Sequence, residues 1–127
     1  MKKLKLFFLL LILVNAAWAQ QPAFNPADIK EYYLVFLKKG PDRSHDSLTA
    51  ATIQKEHLAH LGKMHESGKM CMAGPVGGDE EIRGICIYNV GSKEEAASCA
   101  SADPAVKAGR LVVEVRSWYA LPGSKLP

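Results

Sequence analysis

Residues 49–67 read TAATIQKEHLAHLGKMHES, and this stretch decides how the rest of the chain is arranged. Set at 100° per residue with Ile53 as zero, Met64 falls at about 20°, Ala50 at about 60° and Leu61 at about 80°, a single apolar stripe of helical period. His57 falls at about 40°, inside that stripe. An imidazole where a core leucine is expected needs a hydrogen-bond partner, because burying an unpaired polar group is costly. A helix with one apolar stripe also needs a surface to lie on, and the segments on either side supply it.

Before the helix, residues 32–37 (YYLVFL) form a strand apolar on both faces, which places it inside a sheet. Gly40 and Pro41 end it. The polar loop PDRSHD follows, and Ser47 or Thr49 caps the helix. Gly68 is the natural residue just past the helix end, with Lys63 and His65 in the last turn, where the helix dipole favours cations. After it, residues 70–73 and 85–88 (ICIY) read as two strands of a hairpin joined by the turn-forming GPVGGDEE.

A second helix starts at Ser92, with Glu95 at capping-box spacing, and runs to about Ala102. Its inner residues, Ala96, Ala97, Cys99 and Ala100, are small enough for close packing. Asp103 followed by Pro104 has the form of an N-cap and first-turn proline. Residues 111–118 (LVVEVRSW) form the last strand, with Glu114 and Arg116 on one face.

The order is β-α-β-β-α-β, an α+β ferredoxin-like sandwich with the first and third strands central. Two helices cover one face of the sheet only. The other face needs a cover, and a second copy of the chain is the economical one, giving a homodimer of the dimeric α/β-barrel type.

The N-terminus has a different character. Lys2, Lys3 and Lys5 precede an uncharged run from Phe7 to Val14, and Ala17-Trp18-Ala19 then offers an A-x-A cleavage site, the layout of a secretory signal peptide at 1–19. The apolar run is short for a membrane span. Cleavage leaves roughly 110 residues, one compact domain. The expected organisation is a tether at 20–31, a domain at 32–119 and a tail at 120–127, exported to the periplasm or secreted. The departing lysines account for the whole formal charge of +3. The balanced remainder has no Lys/Arg cluster to attract nucleic acid, nor a membrane surface once the signal is gone.

Three cysteines, Cys71, Cys86 and Cys99, leave at least one thiol unpaired within a chain, and no C-x-x-C is present. A hairpin turn centred between Gly78 and Asp79 sets Cys71 opposite Cys86, where export permits a disulfide; a single bulge shifts that pairing, and the thiols then stay free.

The runs HLAHL (57–61), GKMCMAGP (68–75) and ADPAVKAG (102–109), in this order and spacing, resemble the YciI-like, or YCII-related, family. The resemblance covers nearly everything after the tether. It implies a dimeric α/β-barrel fold whose cleft holds a His and an Asp acting in small-molecule chemistry, with relatives in muconolactone isomerase-like or dehalogenating roles. The His matches His57 and the Asp matches Asp103. The exported leader departs from the pattern of cytoplasmic members.

An imidazole oriented by a carboxylate suits general acid-base work near neutral pH. The function expected is therefore His57/Asp103-assisted proton transfer, isomerase- or lyase-like, on a small organic molecule. The alternative is a non-catalytic small-ligand-binding or structural dimeric module, with His57 a core histidine on a backbone carbonyl and Asp103 only a helix cap. A monooxygenase-like barrel of related shape fits the three runs less well. Gly74 and Pro75, Tyr33 and Tyr88 on the central strands, and His60 at the stripe's edge are candidate ligand contacts. His65 falls at about 120° on the wheel, too far round to join His57 and His60 in a metal site. No metal and no cofactor is expected.

Overall fold

The computed structural model describes residues 24–127, and the expected signal peptide at 1–19 lies outside them. After a single 3₁₀ turn at Pro26–Asp28, the order is β1 (Lys30–Lys39), α1 (Ser47–Glu66), β2 (Met70–Pro75), β3 (Ile82–Tyr88), α2 (Lys93–Ser101), α3 (Pro104–Lys107) and β4 (Leu111–Ala120). The four strands form one sheet in the order β2-β3-β1-β4 with antiparallel neighbours, the ferredoxin-like α+β arrangement. β1 and β3 are central, as their apolar composition requires.

β1 starts two residues before the apolar run, because pairing with β4 continues out to Lys30 opposite Ala120. The N-cap of α1 is Asp46 rather than Ser47 or Thr49. Its Oδ1 accepts the Thr49 N–H at 2.9 Å and its Oδ2 the Thr49 hydroxyl at 2.8 Å, so each carboxylate oxygen takes a donor of the first turn. Gly68 follows α1 with φ 73°, the left-handed conformation that glycine adopts without strain. At the start of α2 the Ser92 hydroxyl accepts the Glu95 N–H at 3.1 Å, and Glu95 reaches back to the Gly91 N–H rather than to that of Ser92.

Alternation along β1 divides the sheet. Tyr33, Val35 and Leu37 are buried beneath the helices, whereas Leu34 and Phe36 are half-buried on the opposite face. The core gathers Tyr33, Val35, Met70, Cys86 and Tyr88 against Ala96 and Ala100, whose small side chains let α2 lie close on the sheet. On the far face Ile85, Ile87 and Met72 are half-buried, and Val112 and Trp118 are exposed, at 42% and 40%.

Of the two hairpin readings, the bulged one with free thiols is the one found. Cys71 is the extra residue between Met70, which pairs with Tyr88, and Met72, which pairs with Ile87. The Met70–Tyr88 pair is already one step from the register that joins Cys71 to Cys86, and the bulge adds a second, setting Cys86 opposite Ala73 with Cys71 exposed to solvent. All three thiols are free. No helix among the described residues is long and apolar enough to cross a membrane.

Candidate active site

α1 supplies two buried side chains, Ile53 and His57, both from the centre of the apolar stripe. His57 does not rest on a backbone carbonyl. Its Nδ1 lies 2.6 Å from Oδ2 of Asp103, across 46 positions of sequence. Asp103 is 1% exposed, and its second oxygen, Oδ1, accepts the Ala105 N–H at 2.8 Å. The same carboxylate therefore caps α3, with Pro104 following at the first helical position, and orients the imidazole. The helix cap and the contact to His57 coexist because each oxygen serves one donor.

With Nδ1–H donating to the carboxylate, the tautomer leaves a lone pair on Nε2. Nε2 makes no hydrogen bond to protein among the described residues. His57 lines a cavity of about 440 Å³ between α1 and the end of the sheet. Ile53, Leu58 and Leu61 from α1 and Leu37 from β1 make its apolar wall. Gly74 and Pro75 line it as expected.

Three of the expected contacts lie elsewhere. His60 Nε2 is 3.0 Å from the Cys99 carbonyl, tying α1 to α2 on the side away from the cavity lining. Tyr33 and Tyr88 face each other across β1 and β3 inside the core, beyond the cavity's reach. Burial pushes the Tyr88 phenol well above its ordinary range, and it stays protonated. They were expected on the cavity because central strands border it, but only the far end of the sheet, near Gly84, does so.

The remaining lining residues carry no periodic signal. Arg43 lies in the loop after β1, Arg83 on β3 and Arg110 between α3 and β4, and all three line the cavity. Cys86 also reaches the lining, but burial and the neighbouring Asp103 charge raise its thiol to about 12, so it is a neutral side chain and not a nucleophile. His45 and His65 stay apart from the cavity, His65 Nδ1 lying 3.2 Å from the Met70 carbonyl. No group of three metal-ligating side chains converges among the described residues.

This arrangement can hold a small organic molecule against an apolar wall and accept a proton from it. Comparison with known proteins identifies the family of the chain. The model of the YCII-related domain matches residues 32–119. Among solved structures, the chain is similar to 5-chloro-2-hydroxyhydroquinone dehydrochlorinase (TftG) from Burkholderia phenoliruptrix AC1100 in complex with 2,5-dihydroxybenzoquinone, at 26% identity and a TM-score of 0.50. That match covers 68% of this chain and 92% of the other. No curated protein matches the chain in sequence.

Proposed function

The chain belongs to the YCII-related domain family, and from that footing we propose that it is an enzyme performing proton transfer on a small organic molecule, with His57 as the base and Asp103 as its orienting partner. The observation that carries this reading is the 2.6 Å contact between His57 and Asp103 at the wall of a cavity, with Nε2 left for a ligand.

In the proposed reaction, Nε2 removes a proton from a carbon beside a carbonyl, or from a ring hydroxyl conjugated with one. The imidazolium that forms keeps both N–H groups, one of them donated to the Asp103 carboxylate, which stabilises the new charge. The electron pair released from the substrate has two outcomes. It expels a leaving group such as chloride, or it returns to take the proton at another carbon, an isomerisation. The similar structure is that of a dehydrochlorinase, which supports the first outcome.

The catalytic unit in this proposal is a homodimer, because Leu34, Phe36, Ile85 and Ile87 are only half-buried on the face without helices, and a second copy supplies a matching face. It acts outside the cytoplasm. The lysines at positions 2, 3 and 5, the apolar run and the A-x-A site support export.

The test is turnover of chlorinated hydroxyhydroquinones and small lactones, followed by chloride release and by exchange of substrate protons with deuterated solvent. His57→Ala should abolish both, with turnover falling by about a hundredfold or more, the contribution typical of a positioned base. Turnover that survives His57→Ala at the wild-type rate rules this function out.

A further inference from the structure

Proton transfer at His57 needs a substrate held in one orientation, and the cavity wall carries charged groups beyond those that the proton transfer uses. Arg43, Arg83 and Arg110 line the cavity, while among the described residues no Asp or Glu does, since Asp103 is enclosed behind His57. The three arginines come from separate segments, and each is held differently.

Arg83 is the extra residue of a bulge. Leu37 pairs with Gly84 and Lys38 with Ile82, leaving Arg83 unopposed where β3 bends. Strict alternation would set it with Ile87 on the face away from the helices, and the bulge breaks that alternation. Its Nη1 donates to the Gly78 carbonyl at 2.7 Å and lies 3.5 Å from the carboxylate of Asp79, which is 90% exposed in water. Arg43 donates through Nη1 to the Arg110 carbonyl at 3.1 Å.

Arg110 differs from both. Its carbonyl also accepts the Gly40 N–H at 2.8 Å, and its own N–H donates to the Ala105 carbonyl at 3.0 Å. The approach of β1 here is so close that a Cβ on Gly40 would collide with the Gly109 carbonyl and the Arg110 backbone. The main chain of Arg110 is thus pinned from several sides. Its guanidinium makes no hydrogen bond or ion pair among the described residues, and the low carboxyl of Asp42 is due first to Ser44, with the charges of His45 and Arg110 adding least. The Asp42 carboxylate is itself taken by the Ser44 N–H and hydroxyl, at 3.2 and 2.9 Å.

A guanidinium is always charged and presents a rigid fork of donors that matches a carboxylate. Carried on a pinned main chain and lining the same cavity as Ile53, Leu58 and Leu61, it favours a ligand with an anionic end and an apolar body. We propose that the cavity takes a small organic acid, its carboxylate held by Arg110 and drawn by the charge of Arg83, its apolar body against α1 and its reacting carbon turned to His57. Arg43 is a positioning residue, acting through the Arg110 main chain. Only the last part, which end reacts, rests on the proton-transfer reading of His57; selection of an organic anion does not.

The experiment is calorimetric titration of the full chain with benzoate, with benzamide as its uncharged counterpart, and with inorganic phosphate. Benzoate should bind at least about tenfold more tightly than benzamide, the scale of a hydrogen bond to a charged group. Arg110→Gln should remove that preference and leave benzamide affinity unchanged, which also reports an intact cavity. Arg43→Gln should weaken benzoate, and Arg43→Lys should restore part of the loss. Four results overturn the proposal: no benzoate binding at millimolar concentration, equal affinity for benzoate and benzamide, benzoate affinity unchanged in Arg110→Gln, or phosphate binding as tightly as benzoate. Because binding is read without turnover, failure here is separate from survival of turnover in His57→Ala.

Discussion

Asp103 shows how one side chain holds both structure and chemistry. Its two oxygens face two different donors, the His57 ring and the Ala105 N–H, in a site closed to water. Asp103→Asn replaces one acceptor with an NH₂ group, so either the helix cap or the imidazole faces a donor instead of an acceptor. The expected result is a loss of about 1–3 kcal/mol of stability in denaturant unfolding, the cost of a buried group left unsatisfied, together with loss of turnover. The position of His57 was legible from helical period alone, because an α-helix fixes which side chains share a face. Its partner was not, since periodicity cannot say what lies opposite a face; Asp103 came from resemblance. His60 was misplaced because the stripe's edge borders α2, and a carbonyl there captured the ring.

At the level of elements, the helix ends and hairpin show the same division. Asp46 rather than its hydroxyl neighbours caps α1, and hydrogen bonds from the Thr49 N–H and hydroxyl hold its carboxyl below the ordinary carboxylate range. Asp42, Asp79, Glu95 and Glu114 are lowered too, chiefly by hydrogen bonds from Ser44, Lys39, the Gly91 N–H and Arg116. A carboxyl lowered by folding contributes stability that is complete above its unfolded pKa, about 4, and is lost as pH falls through the folded value. Thermal melts should therefore stay level near neutrality and drop below about pH 4. Asp46→Asn, which keeps a good cap without a titrating group, should shrink that drop, and an identical acid profile would remove Asp46 from the account. The bulge at Arg83 escaped sequence reading, and the one at Cys71 entered only as an alternative, because an extra residue in a strand leaves the local composition unchanged and only its partner strand reveals it.

Over the whole molecule, the sheet has one face under helices and one bearing half-buried Leu34, Phe36, Ile85 and Ile87. If a second copy covers this face, Phe36→Glu sets a charge in the interface and should convert a dimer to a folded monomer, read by light scattering with circular dichroism unchanged. A wild-type monomer at micromolar concentration would end the dimer proposal. The order of strands and helices, the central places of β1 and β3, and the inward face of α1 were determined by the sequence itself, because periods of 2 and 3.6 and the chemistry of glycine, proline and caps act over a few neighbouring residues. The pairing of His57 with Asp103, the cavity beside them, the register that separates Cys71 from Cys86 and the gathering of Arg43, Arg83 and Arg110 were decided only by the tertiary structure. Each joins residues distant in the chain, and their meeting is set by how the packed helices and a bulged sheet fill space together, which no local pattern encodes.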